Sequence, residues 1–403
     1  MNSRPDVLIV TPQVPYPPDT ADRARVFHLV RLVGRHANPH LISLADPEVS
    51  PQTAAALNGE CSRFDAIPVG GAALLRGVRS WALGGSLSEG SFRSAQLATT
   101  IQQWAASTRF AAGIACTSSV AHYLRLPGLE SATKVVDLMD LDSQKWADAA
   151  ATWPPKSWAC LLESRRLRRL ERSICAWADA VVLTSVSEAV TLRELAQANN
   201  IHVVPSGIDT SYYAPSSPGA ETGCLFVGSL NYKPNVDGIG WFARAVWPNV
   251  RQHWPDVRLT IVGRKPNAAA RELADIPGVD VIDQPGDVRP YFDRAAVIVV
   301  PLRVARGLQS KVLEAMAVGK PVVASPEALA GFGNRPDLPA RPASEAGEWV
   351  ETVHWLLGDQ DARHKLGHMG RNFVERFHNW SHCLRPFADL LRLGDPAMHG
   401  RAR

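Results

Sequence analysis

Short runs of β-branched and apolar residues recur along the chain, each followed by a stretch of helical periodicity. That alternation constrains the fold more than any other feature. The runs are Val7–Thr11, His40–Leu44, Gly113–Cys116, Lys134–Leu138, Ala180–Thr184 and Ile201–Val204, then Cys224–Gly228, Arg258–Val262, Val279–Ile282, Val297–Pro301 and Pro321–Ala324. Near-continuous apolar strands flanked by helices belong to parallel sheets covered on both faces. Two series of about 200 residues each predict an α/β chain of two doubly wound domains facing one another. The length of 403 residues also suits two domains.

Helices between the runs follow from spacing. Arg23–His36 sets Val26, Leu29, Val30 and Val33 on one face, Asn235–Trp247 does the same with Val236, Ile239, Phe242 and Val246, and Ser381–Leu393 is another amphipathic pattern. Pro205-Ser-Gly-Ile-Asp reads as a turn, and residues 215–223 as a linker by composition.

Composition then excludes several classes. The 43 basic and 39 acidic residues leave a net charge of +4, too small and too dispersed for a nucleic-acid protein. The six cysteines (61, 116, 160, 175, 224 and 383) form no Cys-x-x-Cys pair, which suits buried thiols in a reducing cytosol and no structural zinc. The first apolar run is too short for a secretory signal, and no stretch of about 18 apolar residues would span a membrane. A cytoplasmic protein is expected. No Gly-x-Gly-x-x-Gly follows the first strand, and Walker A and Gly-x-Ser-x-Gly patterns are absent.

Ligands of open parallel sheets bind beyond the carboxyl ends of strands, where helices begin. After Val297–Pro301 the chain turns through Gly307 into a helix expected near Leu308, so the backbone of Leu308, Gln309 and Ser310 would offer a phosphate its bare amides. Lys311 adds a charge to that turn. Glu314, three residues on, would accept from both hydroxyls of a ribose. The alternative is an ordinary Lys–Glu helix pair. The other end of this crevice would be Phe226–Asp237, where Gly228 allows close approach and Ser229, Lys233 and Asn235 reach phosphate oxygens. A βα turn capped by Asn235 needs no ligand at all. After the first strand, four prolines between Pro12 and Pro18 stiffen a loop whose Asp22, Arg23 and Arg25 are expected to point into the crevice.

Phe226-Val-Gly-Ser-Leu, Ile261-Val-Gly with Gly263, the Asp287–Tyr291 turn, and Lys311-Val-Leu-Glu-Ala-Met-Ala-Val-Gly-Lys-Pro-Val-Val occur in the order seen in GT-B-fold glycosyltransferases of the family-4 type, which the chain resembles over almost its whole length. Pro15-Tyr-Pro-Pro-Asp, Val136-Asp-Leu-Met-Asp-Leu-Asp-Ser-Gln-Lys-Trp and Ala305-Arg-Gly-Leu-Gln-Ser-Lys-Val-Leu-Glu are similar to sugar transferases of bacterial exosortase (PEP-CTERM) exopolysaccharide systems. The resemblance implies an acceptor-side domain over residues 1–205, with helix 381–393 packed back on it, and a donor domain over 206–380. It also implies transfer of a sugar from a nucleotide-diphosphate donor to a hydroxyl of a lipid-linked glycan, with retention of configuration and no metal.

Residue by residue, Glu314 matches the second glutamate of the family's Glu-x7-Glu motif, which holds the ribose; Arg306 stands at the first. Ser229 replaces an arginine that often grips the diphosphate, which leaves Lys233 and Lys311 as cations. Met139 replaces a histidine that points at the sugar, leaving Asp140 and Asp142 as the polar groups there. Thr20-Ala21 replaces a glycine pair. A GT-B nucleotide-sugar epimerase and a catalytically weakened GT-B binding protein stay open as other readings.

Two further patterns stand out. His364/His368 and His378/His382 share helix faces as a metal pair would, but exposed histidines suit the same spacing. The basic stretch Ser164–Arg172, with Trp153 and Trp158 nearby, reads as a solvated helix face or as a contact with anionic lipid at the inner membrane.

Overall fold

The computed structural model describes residues 4–45, 49–152, 157–216, 221–305, 307–333 and 335–393. They divide into two compact units. One runs to Ser206 and resumes at Cys383; the other spans Gly207–His382.

The first unit is built on seven parallel strands: β1 (Asp6–Thr11), β2 (Asn38–Ala45), β3 (Arg63–Pro68), β4 (Phe110–Cys116), β5 (Thr133–Met139), β6 (Ala180–Leu183) and β7 (Ile201–Val203). Their order is β3-β2-β1-β4-β5-β6-β7. Val7 to Val10 of β1 are wholly buried, with Ile9 opposite Leu41 on one side and Ile114 on the other. The chain winds outward from β1 to β3 and then returns to start again at β4, so strand order reverses between β1 and β4.

The second unit carries six parallel strands: β8 (Cys224–Val227), β9 (Leu259–Gly263), β10 (Val279–Asp283), β11 (Val297–Val300), β12 (Val322–Ala324) and β13 (Arg341–Pro342). The order β10-β9-β8-β11-β12-β13 puts the corresponding reversal between β8 and β11. Both sheets are therefore the doubly wound kind that the apolar runs predict. Spacing missed β3 and β13. In β3 only Ile67 is buried, and both residues of β13 are exposed, so neither edge strand carries a continuous apolar run.

Prolines and caps set the helix ends. The helix Ala21–His36 starts two residues earlier than periodicity suggests, because the Thr20 hydroxyl accepts from the Arg23 backbone amide. The pattern expected as one helix over Asn235–Trp247 is the helix Lys233–Trp241, a π turn over Phe242–Val246, and the helix Trp247–His253. Pro248 lacks the amide hydrogen that a continuous α-helix would bond to Arg244, and the wider turn absorbs that loss. Likewise Ser381–Leu393 is not one helix. It is two short ones, Trp380–Cys383 and Pro386–Leu390, the second opened by Pro386. Leu384, Phe387 and Leu391 are buried.

Arg25 corrects an expectation. It does not point toward a ligand but is 1% exposed. Its Nε donates to Asp137 Oδ2 at 2.7 Å and Nη2 to Asp137 Oδ1 at 3.1 Å, while Nη1 reaches the Pro205 carbonyl at 3.3 Å. The Phe387 ring lies 5.7 Å from its guanidinium carbon. Asp137 is itself fully buried, so this forked pair joins the first helix, β5 and the C-terminal turn. Removing one partner strands a buried charge. Arg25→Ala is expected to cost about 3–5 kcal/mol of unfolding free energy, measured by urea denaturation.

Candidate functional site

In the second unit the two loops at the reversal point are joined by one amide. Gly228 continues the ladder past β8, donating to Val262 O at 3.0 Å. The buried Asn235, in the first turn of Lys233–Trp241, donates from Nδ2 to Ser229 O at 3.0 Å. Its Oδ1 accepts from Lys311 Nζ at 3.2 Å, and Gln309 Oε1 accepts from the same ammonium at 3.3 Å. Lys311 lies in the first turn of Ser310–Ala317, which opens after Gln309 rather than at Leu308. Gln309 supplies no side-chain cap, so a ligand would meet the amide end of that helix without a competing carboxylate or hydroxyl cap.

Gly307 has φ +61°, a left-handed turn that a side chain would strain. The half-buried Leu308 packs against the core. Burial pulls the Lys311 pKa down to about 8, against the opposing pull of Glu314. Burial likewise raises Glu314, with Lys311 and the Ser310 hydroxyl acting the other way. A half-buried cation and carboxylate one helical turn apart are thus held where water stabilises them poorly, and a ligand with complementary charge and hydroxyls would find both.

The remaining residues expected here divide. Ser229 donates to Asn231 Oδ1 at 2.8 Å. Lys233 is exposed and ion-paired with Asp237 one turn on, a link that a phosphate would have to displace. Gly263 has a packing reason for being glycine: a Cβ there would lie 1.8 Å from the Gly228 carbonyl oxygen. Arg306 lies outside the described residues. Sequence reasoning overlooked Tyr213, whose hydroxyl is pushed up by burial and by Glu314 and whose ring packs edge-on to Phe292 at 6.3 Å. In the Asp287–Tyr291 turn, Asp287 is held below the usual carboxylate range by Arg289.

The first unit has a pocket of its own at the β1/β4 reversal. It measures about 230 Å³ and is lined by Thr11, Gln13, Asp22, Arg23, Thr117 and Met139, with Pro12, Pro15, Val26 and Phe92. Thr117 (φ +85°) and Met139 (φ +65°) sit in left-handed conformations at the ends of β4 and β5, each costing about 1–3 kcal/mol. Asp137 Oδ1 accepts from the Met139 amide at 3.3 Å and helps fix that turn. Burial raises the Asp22 carboxyl; Lys145 opposes the shift, and Asp140 and Asp142 add to it. Arg23 pairs with Asp19 at 3.0 Å.

Asp140 and Asp142 are not bare carboxylates. Lys145 Nζ lies 3.1 Å from one and 3.5 Å from the other, while Thr184 Oγ1 and Ser118 Oγ each donate to one. Burial alone would lower Lys145, but the two aspartates hold it above its ordinary value. Its spacing from Asp142, one helical turn, was the signal that could have found it. His364, His368 and His382 are exposed, whereas His378 is buried, 5.5 Å from the Phe373 ring and 5.7 Å from Phe332. Among the described residues no group of three or more His, Cys, Asp or Glu side chains is placed to hold a metal.

Residues 221–359 match the family model of glycosyl transferases group 1. This stretch resembles a group 1 glycosyl transferase domain. It contains the Gly228–Lys233 loop, Asn235, Lys311 and Glu314. An uncharacterised 44.6 kDa protein in the cps region of Klebsiella pneumoniae is 31% identical over 100 residues, 23% of this chain and 26% of that protein. The α-maltose-1-phosphate synthase of Mycolicibacterium smegmatis is 28% identical over 255 residues, 55% of this chain and 65% of that enzyme. The chain thus spans about a quarter and under two thirds of these two relatives.

Solved structures extend the likeness beyond residues 221–359. A sucrose-phosphate synthase from Thermosynechococcus elongatus superposes with a TM-score of 0.71 at 17% identity, covering 99% of this chain and 100% of that one. Anabaena HepE in complex with UDP and glucose gives 0.66 at 13% identity, covering 96% and 99%. The fold is GT-B.

The depressed Lys311 pKa makes any anion binding at this helix start depend on pH. Its ammonium is charged below about 8 and loses its proton above. Affinity for a phosphate-bearing ligand, probed with pyrophosphate, is expected to fall as pH rises through that value. In Lys311→Arg, where the charge persists, the fall is expected to disappear. Calorimetric titration across the range checks both.

Proposed function

We propose that the chain moves a sugar from a nucleotide-diphosphate donor to a hydroxyl of a glycan. The observation that carries this is the tether from Lys311 through Asn235 to the loop after β8, at the start of a helix inside the stretch that resembles a group 1 domain. An ammonium has three donor hydrogens, and two are aimed at Asn235 and Gln309. The third, with the first-turn amides, would hold a diphosphate and stabilise the charge that grows on it as the glycosidic bond breaks. Glu314 would accept from the ribose hydroxyls. HepE, bound to UDP and to UDP-glucose in its structures, supports a nucleotide-sugar donor here.

The pocket at the β1/β4 reversal is the acceptor side of this reading. Asp22, with its raised pKa, would take a hydrogen bond from a glycan hydroxyl, Arg23 would orient the ring, and Asp140 and Asp142 would act through Lys145 to set the local charge. Retention of configuration and independence from metals extend the family resemblance. A lipid-linked acceptor and a role in bacterial exopolysaccharide synthesis of the exosortase type follow the resemblance carried by the quoted motifs, with the relative in a cps region in support. The cytoplasmic placement rests on the cysteine spacing and the short first apolar run, and contact with the inner membrane on the basic stretch Ser164–Arg172. No helix among the described residues is long and apolar enough to cross a membrane.

Lys311→Ala and Glu314→Ala are each expected to weaken UDP binding by about 1–3 kcal/mol in calorimetry. Wild-type affinity in both variants would overturn the donor assignment. Transfer is expected to persist in EDTA. Arg306→Glu is expected to change which UDP-sugar is turned over fastest, and an unaltered donor profile would make that arginine a bystander.

A further inference from the structure

The helix Ala73–Ala82 in the first unit turns its large apolar residues outward. Leu74, Leu75 and Val78 are 67%, 71% and 49% exposed, and Leu83 just beyond is 78% exposed. Its inner side is pressed at Gly77, where a Cβ would lie 2.2 Å from Ser91 Oγ. Beside it, at the start of Ser157–Trp177, Trp158 is 65% exposed and Leu161 45%. The Trp81 and Trp158 rings, 6.0 Å apart, join the two helices into one surface.

This surface is held rather than left loose. Arg166 donates to the carbonyls of Trp81 and Gly85 and lies 4.7 Å over the Trp81 ring. The buried Glu163 carboxylate accepts from Ser86 Oγ at 2.6 Å and from the amides of Leu87 and Ser88 at 3.0 and 3.1 Å. The leucines therefore cannot fold inward without breaking a buried network.

On these two elements the exposed charge has one sign. Residues 69–86 contain Arg76 and Arg79 and no acid. The helix Ser157–Trp177 has two glutamates, Glu163 and Glu171, and both are buried, whereas Arg165, Arg168, Arg169 and Arg172 are exposed. Exposed leucine and tryptophan bordered by arginine suit the boundary between headgroups and acyl chains, where the rings and methyl groups enter and the guanidiniums meet phosphate.

We infer that this face docks on an anionic lipid surface. The inference deepens the transferase reading, on which the purpose of such docking rests, but the two are tested apart. The full chain is sedimented with phosphatidylcholine vesicles, with and without phosphatidylglycerol. Binding is expected only with the anionic lipid and is expected to fall as salt rises. Replacing Arg168, Arg169 and Arg172 with Ser is expected to weaken partitioning about fivefold per arginine. Leu75→Ser with Leu83→Ser is expected to weaken it on the order of tenfold.

Thermal unfolding and UDP titration of each variant provide the folding control; if the leucine pair misfolds, the arginine set decides. Equal binding to neutral and anionic vesicles, or wild-type partitioning in the arginine variants, would overturn the proposal. So would self-association that the leucine variants abolish while vesicles are ignored, since a second copy would then cover the face. Vesicle binding in a chain that fails to bind UDP would leave the lipid face standing and remove the donor site.

Discussion

Every strand in both sheets runs the same way as its neighbours, and the rest of the molecule follows from that. A parallel pair needs a crossover to bring the chain back, so helices cover the sheets and the strands become apolar on both faces. The strand ends that lead into helices then gather along one edge of each sheet. Where strand order reverses, adjacent loops part in opposite directions. At β8/β11 the loops carry Asn235, Lys311 and Glu314; at β1/β4 they enclose the pocket with Asp22 and Met139. Neither site needs a special element. Both use amides and side chains that a doubly wound sheet leaves at its edge.

The two sites hold charge differently. In the second unit, burial outweighs the mutual attraction of Lys311 and Glu314 and pushes both toward their neutral forms, which suits a site that would take a charged ligand. In the first unit, Asp140 and Asp142 are already satisfied by Lys145, Ser118 and Thr184. The unusual energy there lies in the backbone, at Thr117 and Met139, whose left-handed turns carry the pocket wall. A residue replacing Met139 has to tolerate that backbone.

The sequence revealed the architecture well because a strand buried on both faces has to be apolar along its length. Strands that failed this test were missed: β3 and β13 lie at sheet edges and bury little. Helix breaks were harder to place, since Pro248 and Pro386 interrupt patterns whose apolar spacing continues past them. In the candidate site, Lys311 and Glu314 were readable from spacing along a single helix. Arg25 was not, because its partner Asp137 is distant in sequence and nothing local distinguishes an arginine that forks onto a buried carboxylate from one that meets solvent. Asn235 stood out in the sequence as a phosphate contact or a cap, but its actual bond to Lys311, which joins two crossovers, was not legible for the same reason.

The C-terminal turn gives the first unit an unusual dependence on the order of synthesis. Phe387, which packs over Arg25, and the buried Leu384 and Leu391 leave the ribosome only after Gly207–His382 has been made. The early sheet must therefore wait with that flank uncovered while the later unit is assembled, and a nascent chain halted before Cys383 would expose a greasy seam to chaperones and proteases.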